Sequence, residues 1–274
     1  PTPLPAIDNV RLIHLQQRAY PGAARNAGWR EAQGDYILFV DADVVLTEQA
    51  CHFIKQQIQA GAEDIAFGLY ATDAPYYNAI SRFITTMQKQ RFEQEFKRHH
   101  YRYGQSSHVL MKRSVSRNMG YFNPHLRMHE DKEFCIRAIH AGFTINVYPE
   151  FLAEHLKVFD LLALMQDHGH KAYLAESVQQ NAPNIFKRVN NQLSTRYKLS
   201  LILSAISPAI ALAMWVVTES WLLPLLFLIA VVCSPLGLAK EVFSLCKLRE
   251  KLMGLFLWPF MGLAVCTGVG VSKC

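Results

Sequence analysis

No Cys-x-x-Cys pair occurs in the 274 residues. The six cysteines, Cys51, Cys135, Cys233, Cys246, Cys266 and Cys274, are scattered. Their spacing speaks against a thiolate zinc site and against a disulfide scaffold, so reduced thiols in a cytosolic domain are the expectation. Aromatic and basic residues do not interleave in the pattern that stacks single-stranded nucleic acid, and no nucleic-acid partner is expected. The net charge of +6 is modest. Part of it sits at Lys187, Arg188, Arg196 and Lys198, just before an apolar region, where it suits an anionic membrane surface better than nucleic acid. There is no internal repeat and no low-complexity tract. The length holds one sizeable domain plus an appendage.

Toward the C-terminus charge is missing from three long stretches. Residues 199–217, 221–239 and 252–271 contain no Asp, Glu, Lys or Arg, and each stretch is about the length that crosses a bilayer. Basic residues precede the first stretch and follow the second, whereas the Thr218-Glu219-Ser220 interruption has none. The positive-inside rule then places residues before Leu199 in the cytoplasm, the Glu219 loop outside, and 240–251 inside. Three parts are therefore expected: an α/β domain over 1–180, a basic juxtamembrane linker over 181–198, and a transmembrane region over 199–274. The protein would be a multi-pass protein of the inner membrane, in contact with its lipids.

Within the first part the elements alternate. Asn9 to Leu15 alternates as a strand does. Pro21-Gly22 opens a helix over 23–32. Asp35-Tyr36-Ile37-Leu38-Phe39-Val40-Asp41-Ala42-Asp43 is an apolar run entering two carboxylates, the pattern of a buried strand. A helix over 47–61, a strand over 65–70, a helix over 76–97 and a strand over 108–111 follow. Next come a helix over 132–141, a strand over 143–148 ending at Pro149, and an amphipathic helix over 159–177. This order predicts right-handed crossovers and a largely parallel sheet flanked by helices.

Ligands in such sheets bind beyond the carboxyl ends of the strands. Asp41 and Asp43 would stand there, close enough to repel and to need a counter-charge such as an oxygen-preferring divalent cation. Glu130 and Asp131 form a second acidic station about 90 residues on, at a helix start, where the helix dipole alone also favours acids. His155 follows. A metal-bound diphosphate and a separate carboxylate base are what an enzyme needs to move a sugar from a nucleotide to a hydroxyl. The basic run Lys97-Arg98-His99-His100-Tyr101-Arg102 reads either as a solvated helix end or as an attraction for phosphate or an anionic lipid carrier.

Three segments together resemble the family 2 glycosyltransferases. They are Ala24-Arg25-Asn26-Ala27-Gly28; Gly34-Asp35-Tyr36-Ile37-Leu38-Phe39-Val40-Asp41-Ala42-Asp43; and Glu130-Asp131-x-Glu133-Phe134-x-x-Arg137 running to Ala141-Gly142-Phe143. Met111-Lys112-Arg113 and Gly120-Tyr121-Phe122 add to the likeness, which covers roughly residues 9–175. With the apolar C-terminal region, the chain is most similar to bacterial exopolysaccharide enzymes of the succinoglycan type. The resemblance implies a GT-A-like fold and a metal-dependent, inverting transferase. It implies Mg2+ or Mn2+ held by Asp43, Asp41 and His155, and a UDP-linked nucleotide-sugar donor. Arg25, Asn26 and Asp41 would face the nucleotide, Asp131 would be the base with Glu130 beside the acceptor, and the acceptor would be lipid-linked or a polysaccharide. Arg137 is expected to pair with an acid on its own helix. Gln166-Asp167-His168-Gly169-His170 stands where processive members carry Gln-x-x-Arg-Trp, so addition of a single sugar is expected. His108 occupies a position where relatives often have Asn or a small residue, which bears on the acceptor. The first strand-helix-strand unit of such a domain is expected upstream of Pro1.

Two other readings fit parts of the pattern. An apolar strand ending in Asp-x-Asp also opens haloacid-dehalogenase-type phosphatases, with Asp41 as nucleophile and Asp43 as acid/base, and with Ser106-Ser107, Lys112 and Glu130-Asp131 in supporting roles. The alternative without catalysis is a truncated, membrane-associated scaffold.

Overall fold

The computed structural model describes residues 10–61, 64–98, 104, 106–181, 195–218, 222, 225, 228, 260 and 261. Seven helices and five strands lie in these residues. They run α1 (Pro21–Glu31), β1 (Tyr36–Val40), β2 (Val44–Leu46), α2 (Glu48–Ala60), β3 (Ile65–Tyr70), α3 (Ala79–Arg98) and β4 (His108–Lys112). The chain continues through α4 (Val115–Met119), α5 (Glu130–His140), β5 (Ile145–His155), α6 (Leu161–Asn181) and α7 (Thr195–Thr218).

Local chemistry sets several boundaries. Pro21 occupies the start of α1, where its missing N–H costs nothing. Thr47 caps α2 by accepting the Ala50 N–H at 3.2 Å, and Gly61 ends that helix in the left-handed region at φ 61°. His129 is the one non-glycine residue at positive φ among the described residues, at 64°, directly before α5. Its turn lets Glu130 and Asp131 begin the helix, where the dipole favours acids.

The strand order is β1-β4-β3-β5-β2. The sheet is mixed, not largely parallel. Only β3 and β5 pair parallel, while β4 runs antiparallel to both β1 and β3, and β2 antiparallel to β5. The long α3 excursion between β3 and β4 returns the chain at the rim it left, so β4 enters from that end. Sequence alternation alone carries no sign of strand direction.

Three further expectations change. Residues 10–15 form no strand, and Val10, Leu12, Ile13 and Leu15 are exposed. The strand over 35–43 is shorter, and it is the sheet edge: Ile37 and Phe39 are buried, but Leu38 and Val40 are 38% and 41% exposed. β5 runs through Pro149 to His155. The pairing of β3 with β5 jumps from Phe67↔Val147 to Leu69↔Leu152, so Pro149 lies in the looped-out part of a bulge, where no ladder N–H is needed.

The core has two faces. On one, Trp29 of α1 lies edge-on to Phe39, Tyr121 and Phe122 at 5.3, 5.4 and 5.8 Å and beside Phe134 of α5 at 5.6 Å, over Ile65, Phe67 and Met111. On the other, Ala50 and Phe53 of α2 cover Ala66, Leu110 and Phe151. α7 coincides with the first apolar stretch and carries exposed Ile202, Leu203, Ile206, Ile210, Leu212, Val216 and Val217. Among the described residues no helix is long and apolar enough to cross a membrane. The second and third stretches fall almost wholly outside the described residues, as do 99–102 of the basic run.

Candidate functional site

β1, β3 and β5 point the same way, and their carboxyl ends share one rim with the start of β4. Asp41 leaves β1 there, its N–H donating to the Ser107 carbonyl at 2.7 Å. The chain turns at Asp41–Val44 (Val44 N–H to Asp41 C=O, 3.1 Å) and β2 pairs with the tail of β5, Val44 opposite His155. The Leu156 N–H donates to the Asp43 carbonyl at 2.7 Å. That register sets the Asp43 Oδ2 3.2 Å from His155 Nε2.

Arg25 of α1 joins the two acidic stations. Its Nη2 donates to Asp41 Oδ1 at 2.7 Å and its Nη1 to Glu130 Oε1 at 2.6 Å. The Ser106 hydroxyl lies 3.5 Å from the same Glu130 oxygen. Asp131 follows with Oδ1 accepting the Lys132 N–H at 2.8 Å. Burial holds Asp41, Glu130 and Asp131 above the usual carboxylate range. Arg25 opposes the rise in each, and the neighbouring carboxylate Asp131 adds to it at Glu130. Arg25 is itself held above its ordinary value, because Asp41 and Glu130 outweigh the burial that works against its charge.

The trio Asp41, Asp43 and His155 is not assembled as expected. Asp41 is turned to Arg25, and no group of three or more His, Cys, Asp and Glu that could hold a metal occurs among the described residues. Asp43 and His155 remain as a pair. Cis ligands about 2.1 Å from an octahedral ion lie about 3 Å apart, which this pair matches. Mg2+ in particular takes few protein ligands and completes its shell from phosphates and water. Asp43 is an oxygen donor of the kind such a cation takes, whereas the His155 imidazole is a nitrogen donor that softer divalent ions take more readily.

Asn26 is turned into the fold. It is buried, with Nδ2 donating to the Phe122 carbonyl at 2.8 Å and Oδ1 accepting the Phe122 N–H at 3.0 Å. It locks α1 to the segment before α5, and so fixes Arg25 against Glu130. Arg137 does pair with Glu133 on its own helix, at 2.5 and 2.9 Å, and also donates to the carbonyls of Met119 and Tyr121.

Tyr77 and Tyr70 carried no signal in the sequence. The Tyr77 hydroxyl donates to the His155 carbonyl and accepts the His155 N–H, both at 2.9 Å. Tyr70 stacks on the His155 ring, centroids 4.9 Å apart. His108 is buried: its Nε2 donates to the Phe151 carbonyl at 3.2 Å, which leaves Nδ1 to accept from Ser107 Oγ at 3.1 Å. Burial pushes His108 down to about 4, so it is neutral. It braces the bulge of β5 and does not line an acceptor surface. Gly68 makes room for it, since a Cβ there would lie 2.1 Å from both His108 Nε2 and the Phe151 carbonyl.

The profile of the family described as Glycosyl transferase family 2 matches residues 4–120. Over that segment the chain is similar to family 2 glycosyltransferases. Arg25, Asp41 and Asp43 lie within that match, and Glu130, Asp131 and His155 beyond it. The glycosyltransferase GlyG of Streptococcus pneumoniae serotype 4 is 32% identical over 63 residues, 23% of this chain and 21% of that protein. The match thus spans about a fifth of the length of this curated relative. A crystal structure of S. aureus TarS 1-349 in complex with UDP-GlcNAc matches at a TM-score of 0.40 and 14% identity, covering 97% of this chain and 76% of that one. At that distance the likeness says nothing of ligands. The α/β architecture with its mixed sheet agrees with the GT-A-like fold that the motifs imply.

The phosphatase alternative gains nothing from these findings. Asp41, its nucleophile, is tied to Arg25. Lys112, its cation, pairs with Asp64 at 3.2 Å at the far end of β4, four residues or about 13 Å along the strand from the rim.

Proposed function

We propose that this chain is a membrane-bound, inverting glycosyltransferase that adds single sugars from a UDP-linked donor to a lipid-linked or polysaccharide acceptor at the cytoplasmic face. The observation that carries the reading is the Arg25 bridge. One buried guanidinium ties the strand end that bears Asp41 and Asp43 to the helix start that bears Glu130 and Asp131. A leaving-group station and a base station thereby become one site.

In this scheme the acceptor O–H attacks the anomeric carbon as the bond from that carbon to the diphosphate oxygen breaks. Asp131 takes the acceptor proton, and burial, which raises its proton affinity, suits it to that task. Asp43 and His155 would hold Mg2+ or Mn2+, which when bound neutralises charge on the departing diphosphate. Glu130 stays locked to Arg25 and keeps the start of α5 in register with Asp41. Inversion follows from a single displacement with one base. Membrane placement is supported by the uncharged stretches beyond residue 198 and by the apolar side chains that α7 exposes. The resemblance of the motifs and the apolar C-terminal region to exopolysaccharide enzymes of the succinoglycan type supports the choice of acceptor.

The test is transfer from radiolabelled UDP-sugars to lipid and polysaccharide fractions in membranes containing the full chain. Asp131→Asn should abolish transfer and keep donor affinity, because the base acts only as the acceptor attacks. Asp43→Ala should lose both. Equal loss of donor affinity in the two variants, or a product that retains the donor's anomeric configuration, contradicts the assigned roles.

A further inference from the structure

Beyond His155 burial alternates: His155 and Lys157 are half-buried and Phe159 is buried, whereas Leu156 and Val158 are exposed. Lys157 therefore stands on the same face as His155, one step further along the rim. α6 returns across it. Asp167 of α6, with little of its side chain in water, receives Lys157 Nζ on Oδ1 at 2.6 Å and Lys171 Nζ on Oδ2 at 2.7 Å. The two ammonium groups are thus held side by side by one carboxylate. Both remain open to solvent, 40% and 52% exposed. Each ammonium has three donors and commits one of them to Asp167. Lys157 also sits over the Phe159 ring, 4.7 Å from its centroid, which limits its freedom.

The trio carries two positive charges against one negative. A fixed pair of ammonium groups with spare donors suits a ligand with two adjacent anionic centres. A diphosphate has that geometry.

We propose that Lys157 and Lys171, clamped by Asp167, form a diphosphate-binding site contiguous with the Asp43–His155 pair. The proposal rests on the glycosyltransferase reading and adds to it the groups that grip the phosphoryl oxygens. The same chemistry occurs in two sources, the nucleotide of the donor and the headgroup of an isoprenyl-diphosphate acceptor. Asp167 pairs the two ammonium groups and would not touch the ligand; its negative charge opposes the ligand's, and an amide in its place keeps an oxygen acceptor without that charge.

The experiment is calorimetric titration of the purified full chain in detergent, with Mg2+ or Mn2+, against UDP, uridine and farnesyl diphosphate. Lys157→Ala and Lys171→Ala should each weaken diphosphate binding about three- to tenfold, as partly exposed charge-assisted contacts do. Uridine binding should not change, and Lys157→Arg and Lys171→Arg should keep UDP affinity. Asp167→Asn should bind UDP as tightly as the native chain or more so, because it releases positive charge. A merely structural brace predicts the opposite, a loss in Asp167→Asn equal to that in the lysine variants, and that result overturns the proposal. So does native UDP affinity in both lysine variants. A larger loss for UDP assigns the site to the donor, and a larger loss for farnesyl diphosphate to the acceptor. If the native chain binds neither UDP nor uridine, the glycosyltransferase reading itself falls and takes this site with it.

Discussion

Replacing Arg25 by Met removes the one cation between Asp41 and Glu130. Breaking a buried ion pair by deleting one partner costs about 3–5 kcal/mol, because the other charge stays buried alone. The side chains of Arg25 and Glu130 are 12% and 9% exposed, so that limb is worth about 3 kcal/mol. The Asp41 side chain is 38% exposed and screened by water, and adds less than about 1 kcal/mol. A loss of about 3 kcal/mol should lower the melting temperature by about 6–10 °C in a chain of this size. The deficit should also depend on pH. Burial already raises the folded-state pKa of Glu130, so the folded form holds its proton more tightly than the unfolded form. Such a group favours folding below its unfolded value, and the advantage is lost as pH rises through its folded value. Without Arg25 the folded value climbs further, so the deficit of Arg25→Met should be small at pH 5 and large at pH 8. Melting curves by intrinsic fluorescence at both pH values read this directly. The double variant Arg25→Met/Glu130→Gln should recover most of the loss. A deficit that is the same at both pH values, or no recovery in the double variant, refutes the view that the bridge is a buried charge pair.

Gly68→Ala should cost about 3 kcal/mol or more in urea denaturation, because the new methyl meets a backbone carbonyl at 2.1 Å as well as the His108 ring. Asn26→Leu should cost about 2–5 kcal/mol by leaving the N–H and C=O of Phe122 buried and unpaired. Lost donor affinity at native stability would instead return Asn26 to the nucleotide. Tyr77→Phe should weaken metal-dependent UDP binding several-fold with little change in fold, since it frees the backbone of His155; unaltered binding would remove Tyr77 from the site. The transfer rate should rise with pH through a range above the ordinary carboxylate value, as raised Asp131 loses its proton. A rate already maximal at pH 4 would rule out Asp131 as the base.

The elements themselves were largely legible in the sequence. Thr47 and Gly61 bracket α2 with ordinary capping chemistry, and the strand over 65–70 is apolar throughout because it is buried on both faces. The acids at 41, 43, 130 and 131 stood out because clustered carboxylates at element ends need an explanation. Strand direction was not legible. The side-chain alternation of β4 is the same whichever way it runs, and the long α3 excursion hides the return. Nor was the end of β5, since proline stops a regular strand but not one that bulges around it.

Sequence alone determined which residues could do chemistry: the Arg-Asn helix, the Asp-x-Asp strand end and the Glu-Asp helix start are local patterns with local reasons. Tertiary structure decided what each of them touches. Arg25 reaches across 105 residues of sequence to Glu130, His155 meets Asp43 across 112, and Tyr77 fixes His155 across 78. Asn26, adjacent to Arg25 in the chain, turns the other way into Phe122. Successive residues on a helix point about 100° apart, so of two neighbouring polar side chains one serves the site and the other holds the helix in place.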